Sequence, residues 1–186
     1  MLETVIIALL FCKLKGYKIA PLFKNYAIYI PLFIEVIYII IQINIFKENY
    51  AVIKYTKVLK IMYILSYLPL VYKYKQYLSA CIGSIAMVIG GVLNDIAIKA
   101  NGGFMPVFPK LSLWTGYAKL DSFTKVNDIH ILGNANVKLK FLTDIFDLGY
   151  SILSIGDIFI RFYIFIIIYS SIKSINNNSE IISIHN

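Results

Sequence analysis

Charge is scarce in this chain. Ten acidic and eighteen basic residues make up 15% of 186 positions, too little polar surface for a soluble domain of this length to cover its core. Cysteine is nearly absent. Cys12 and Cys81 both fall inside apolar segments, so they read as small buried hydrophobes, not as a disulfide or metal pair. His130 has no second His or Cys at ligand spacing, which makes it a solvated loop histidine and leaves no metal site to expect. The lysines are scattered between apolar runs, so nucleic acid is an unsuitable partner, and anionic lipid headgroups account for the net charge of +8. No glycine loop ends in Lys-Ser/Thr, and no Ser-His-acid or Cys-His pattern can be traced. Nothing implies a cofactor, and the balance leans away from an enzyme. Glu3 stands where a signal peptide would carry basic residues, and no small-x-small cleavage site follows, so the first apolar segment should be retained.

What is present is apolar. Hydrophobic residues make up 59% of the chain, in runs near the ~20 residues that a helix needs to cross a ~30 Å hydrocarbon layer. The expected fold is an all-α, polytopic transmembrane helical bundle. About five apolar segments fall near 2–13, 21–46, 51–72, 78–98 and 151–172, within a single membrane domain over 1–175. A long extramembrane loop covers 99–150, and a disordered polar tail 176–186. Pro31 is placed to kink the second span. In the fourth, Ser79, Gly83, Ala86, Gly90 and Asn94 recur at helical spacing and give one face of small residues, the pattern by which membrane helices pack closely. Phe104, Phe108, Trp114 and Tyr117 suggest an interfacial belt in the loop, with Leu113, Tyr117 and Leu120 on one face of a short amphipathic helix. With five spans, the lysines at 13, 15, 18, 24, 73, 75 and 173 share one side. The positive-inside rule then puts the long loop outside the cell membrane.

Polar residues gather around that loop. Asn94-Asp95 ends the glycine-rich span, Asn101-Gly102-Gly103-Phe104-Met105-Pro106 follows, and Ser154-Ile155-Gly156-Asp157 opens the last span. The glycines suit a turn with positive φ, stiffened at its exit by Pro106. Asn101, Gly102, Gly103, Met105, Pro106, Asp144, Ser154, Gly156 and Asp157 form the candidate binding rim for a lipid, a peptide or a protein partner. Within the membrane stand Asn94, Glu35 and Arg161. An ionisable residue as deep as Glu35 costs ~3 kcal/mol to insert, so it is neutral, paired to a base such as Arg161, or the polar element of a transporter or channel. Asp157 and Arg161 are spaced for an i,i+4 ion pair. Alternatively, Asp157 faces Asp95 across a semi-dry pocket, where two carboxylates sharing a proton would suit a hydrolase.

In Asn101–Pro106, in Leu142-Thr143-Asp144-Ile145-Phe146 and in Ser154-Ile155-Gly156-Asp157-Ile158-Phe159, the chain resembles a family of bacterial multi-pass membrane proteins, the domain of unknown function family 5317. The resemblance implies a membrane location and no particular activity. A slighter likeness is to lipoprotein signal peptidases, in which one catalytic aspartate follows a glycine-rich helix end and the other opens the next span. Gly90 to Asp95 and Leu153 to Asp157 occupy similar places. Here, however, Asn94 adjoins Asp95 instead of preceding it by three, Ile96 replaces an arginine, and Leu153-Ser154 replaces Phe-Asn.

Overall fold

A computed structural model describes residues 1–125 and 128–184, without the side chains of 54, 57, 124, 125 and 178–184. Among the described residues, three helices are long and apolar enough to cross a membrane: Tyr26–Phe46, Tyr77–Ala100 and Ile155–Asn177. Their outer faces remain apolar, with Phe33 67%, Leu78 76% and Val88 67% exposed, as a surface solvated by lipid tails would be.

The other two apolar segments fold as shorter helices. Helix α1, Leu2–Leu14, has 13 residues and rises only ~20 Å. The segment expected over 51–72 divides into a 3-10 turn, Tyr50–Tyr55, then α3, Thr56–Leu65, and α4, Leu68–Lys73. The division falls just before Pro69, which has no N–H to continue the helical ladder. Helix α2 spans Tyr29–Phe46, so Pro31 lies in its first turn, where a proline is tolerated, and not in its interior. Helix α5 spans Tyr77–Ala100. The last helix, α8, runs from Ile155 to Ile184. The tail expected to be disordered is therefore helical as far as Ile184, and its final two residues lie outside those described.

The chain divides into two compact units. The first comprises residues 1–40, 54–85 and 161–186. Its core holds Ala8, Cys12, Tyr63, Leu70, Ile164, Ile168 and Ile172. Phe11 packs at 5.6 Å against both Phe165 and Tyr169. Asn25 caps the turn before α2 by accepting from the Ala27 N–H, and it also binds Tyr74 Oη at 2.8 Å and Lys73 Nζ at 2.9 Å. Where α5 meets α8 in this unit, Ser79 and Ser170 share a 2.7 Å hydrogen bond. A Cβ on Gly83 would come within 3.0 Å of the Tyr163 Cα.

The second unit comprises residues 41–53 and 86–160. The small face of α5 continues here. The Gly156 carbonyl and Phe159 occupy the space that a Cβ on Gly90 would need. What reads as a long loop is a folded cap. Strand β1, Met105–Val107, pairs in parallel with β2, His130–Leu132, with Met105 opposite His130. Val107 also bridges to Asp144. A second pair, β3 (Phe146–Asp147) and β4 (Ile152–Leu153), is antiparallel, and the turn between them contains Gly149 at φ +84°. Ala97, Met105 and Leu142 form a small core, with Leu93, Ile98 and Ile129 against it. Two short helices, α6 (Leu111–Thr115) and α7 (Ser122–Lys125), complete the cap. Helix α6 stops at Gly116, which is left-handed, so Tyr117 and Leu120 lie beyond it instead of sharing its face.

Candidate ligand cavity in the cap

Most polar residues of the expected rim hold the cap together. At the end of α5, Asn101 Nδ2 donates to the Ala97 carbonyl at 2.8 Å, and the Gly103 N–H donates to the Ile98 carbonyl at 2.9 Å. These bonds satisfy carbonyls that the helix end would leave unpaired. Gly102 and Gly103 both have positive φ, a region open to glycine at no steric cost. Asn101 also reaches across to Lys138, donating to its carbonyl and accepting from its N–H, each at 2.9 Å. Met105 is buried, and the Pro106 carbonyl accepts from the Asp144 N–H at 3.1 Å.

The Ser154–Asp157 motif is a capping box. The Asp157 N–H donates to Ser154 Oγ at 3.0 Å, and the Ser154 N–H donates to Asp157 Oδ2 at 3.3 Å. Each residue thus satisfies a donor that the start of α8 would leave unpaired. Ser154 Oγ in turn donates to Asn94 Oδ1 at 2.7 Å. Gly156 lies against this pair, because a Cβ there would overlap Asn94 Oδ1 and the Gly90 carbonyl.

Beside this scaffold lies a cavity of about 220 Å³, lined within the second unit by residues from Ile45 to Ile152. Its lining includes the aromatic residues Tyr50, Tyr117 and Phe123 and the polar residues Asp128, His130 and Asp144. His130 Nδ1 lies 2.6 Å from Asp128 Oδ2, and Nε2 lies 3.6 Å from Asp144 Oδ2. The Asp144 side chain is buried, whereas that of His130 is 43% exposed. Burial alone would lower the His130 pKa. The Asp128 hydrogen bond and the charges of Asp144, Asp128 and Asp157 outweigh it and raise the value, which favours the imidazolium. Burial pushes the Tyr117 phenol up to about 12, so it stays neutral. Among the described residues, no group of three or more His, Cys, Asp or Glu is placed to hold a metal.

A family model matches residues 20–169, which takes in every motif of the cap. The chain belongs to the family of unknown function DUF5317. No curated protein and no solved structure matches it. The DUF5317 match excludes α1 and includes the cap from end to end. Of the motif residues that carry the family likeness, Asp144 is the one that also lines the cavity.

The remaining candidates in this DUF5317 chain are dispersed. Asp95 forms an exposed i,i+4 pair with Lys99 at 2.9 Å. Its neighbour Asn94, a helical step of ~100° away, is the residue that meets Ser154 and Asp157. Of the two carboxylates considered for a hydrolase, Asp95 is thus engaged by Lys99 and Asp157 by the capping box. Arg161 pairs with Glu3 instead of Asp157. Glu35 is buried and lies 3.3 Å from the Met1 amino nitrogen, while Arg161 is taken by Glu3. The sequence reads His130 as a solvated loop histidine and gives Asp128 no role, whereas both line the cavity. Their spacing of two, which would place both on one side of an extended segment, was the available signal.

Proposed function

We propose that this DUF5317 protein is a multi-pass protein of the bacterial cell membrane whose extracytoplasmic cap binds a small ligand in the His130 cavity. The observation that carries the binding role is the cavity itself, an apolar concavity into which a few polar groups converge. At about 220 Å³ it is below the ~300–1,000 Å³ usual for drug-sized ligands, so the occupant is smaller. The orientation rests on the lysines. In the first unit, Lys18 bonds Asn176 and Lys73 bonds Asn25. This brings the N-terminal loop, the turn before α5 and the lower part of α8 together with their lysines, a group suited to the cytoplasmic side. Helix α5 is long and apolar enough to cross a membrane.

The binding role is tested by filling the cavity. Ala118 lines it, and an Ala118→Phe variant should lose a small molecule that co-purifies with the wild type in mild detergent and is detected by mass spectrometry. Identical extracts from both proteins would sink the reading. Orientation is tested with a Trp114→Cys variant, since Trp114 is 85% exposed. An impermeant thiol reagent should label it on intact cells, and labelling only after lysis would place the cap inside.

A further inference from the structure

We propose that the lysine-rich end of the first unit binds an anionic phospholipid, its phosphate on Lys73 and an acyl chain along Tyr26, Tyr29, Ile30 and Phe33. The site shares no residue with the cavity. Charge is divided unevenly between the two units. The first contains eleven basic and three acidic residues and the second seven of each, so the whole net charge of +8 resides in the first. Hydrogen bonds gather its lysines at one end. Lys18 joins Asn176 through two bonds, Asn25 joins Lys73 and Tyr74, and Ser79 joins Ser170, one helical turn before Lys173. Lys15, Lys18, Lys24, Lys73, Lys75 and Lys173 are all exposed. Among the described residues, no ion pair engages any of them. Of the unit's acids, Glu3 is held by Arg161, which ~18 Å of helix separates from Lys173. Glu35 lies ~13 Å along its span from Tyr26, and the side chain of Glu180 is outside those described.

This end coincides with a membrane boundary, since candidate spans begin at Tyr26 and Tyr77 and end at Asn177. Lys73 is the positioned cation of the group. Its Nζ lies 2.9 Å from Oδ1 of the buried Asn25 and 5.1 Å from the centre of the Tyr26 ring. An ammonium has three donors, and both of these partners are neutral, so its charge is left for an anion. Beyond Tyr26, residues 29, 30 and 33 follow at the spacing of one helical face. Tyr26 is 73% and Phe33 67% exposed, and Tyr29 and Ile30 between them are also exposed. An acyl chain laid along that face brings its phosphate to Lys73, with Lys24 and Lys75, the sequence neighbours of Asn25 and Tyr74, adding attraction. A zwitterionic lipid fits the track but returns a positive charge to a cationic surface. A free anion keeps the charge and forgoes the track. An anionic lipid satisfies both, and each lysine near such a headgroup strengthens binding about fivefold.

The experiment is native mass spectrometry of the full chain released from detergent, titrated with phosphatidylglycerol and with phosphatidylcholine of the same acyl chains. Phosphatidylglycerol should bind about tenfold or more tightly, and the double variant Lys24→Gln/Lys75→Gln should lose most of that preference. Lys110→Gln/Lys138→Gln, which removes the same charge from the second unit, should keep it. Lys73→Gln should weaken phosphatidylglycerol by itself, and the double variant stands as the test where Lys73→Gln fails to fold. Equal binding of the two lipids would overturn the proposal. Equal losses from the two double variants would also overturn it, because bulk charge would then suffice. Competition by sn-glycerol 3-phosphate at the lipid's own concentration would mark a free-anion site and overturn the lipid assignment. A phosphatidylglycerol preference that resists sn-glycerol 3-phosphate and falls only with the first-unit lysines is the expected result.

Discussion

Replacing Gly156 by alanine should cost far more than replacing Gly91, although both residues are helical glycines in apolar sequence. A Cβ on Gly156 would overlap the Gly90 carbonyl oxygen and Asn94 Oδ1, and would sit 2.6 Å from Asn94 Cγ. The carbonyl belongs to the backbone of α5 and cannot rotate aside. Overpacking of this kind costs ~1–3 kcal/mol. If α8 backs away to relieve it, the 2.7 Å bond from Ser154 to Asn94 is lost, adding about 1 kcal/mol. The sum is ~2–4 kcal/mol, or a fall in Tm of roughly 4–16 °C for a chain of this size. Gly91 has no atom within 4 Å of its Cβ position, and alanine there gains up to ~1 kcal/mol of helix propensity. The assay is thermal unfolding in detergent, followed by circular dichroism, of both variants beside the wild type. Equal melting of Gly156→Ala and Gly91→Ala would refute the close approach of α5 and α8 in this unit.

Two further perturbations probe the polar framework. Asp147 accepts from the Lys110, Ser112 and Gly149 N–H groups and from Ser112 Oγ, so Asp147→Ala should lower cap stability by ~2 kcal/mol in a protease-sensitivity assay. Burial of this carboxyl works against ionisation, but the backbone bonds from Ser112, Lys110 and Gly149 overcome it and depress the pKa below its usual 3.8. The stability it contributes is therefore complete above about pH 4 and lost as pH falls through the lower folded value; an unchanged acid profile in the variant would argue against the cap bonds. In the first unit, Arg161→Met leaves the largely buried Glu3 beside an apolar side chain. It should destabilise by ~3 kcal/mol, and adding Glu3→Gln should recover much of the loss; a double variant no better than the single would deny the pairing.

The three long helices were legible because stretches of some twenty mostly apolar residues leave little else to build. The broken third segment was not, since hydropathy is indifferent to whether a helix is continuous, and the interruption depends on how the chain resolves Pro69. The small-residue face of α5 was readable from spacing alone, and its neighbours Tyr163, Gly156 and Ser154 show why size mattered at each step. The cap was harder. Asn101–Pro106 and Ser154–Asp157 announced turns and a helix start through their chemistry, and those are the jobs they perform. The parallel pairing of β1 with β2 joins short segments far apart in sequence and leaves no local signature. For that reason the cavity, whose lining is drawn from Ile45 through Ile152, could not be assembled by reading along the chain.

The bonds between Asn101 and Lys138 make a side-chain amide stand in for a peptide group of a neighbouring strand. They pinch the chain at the base of an excursion, so everything between the two residues departs from and returns to one fixed point. Lengthening a stretch that is already closed costs only ~0.6 kcal/mol for each doubling of its length. The exposed turn at 134–136 lies inside the pinch. The architecture therefore has a natural port, a place where an epitope or a reporter domain can be spliced in while the helices beneath keep their register.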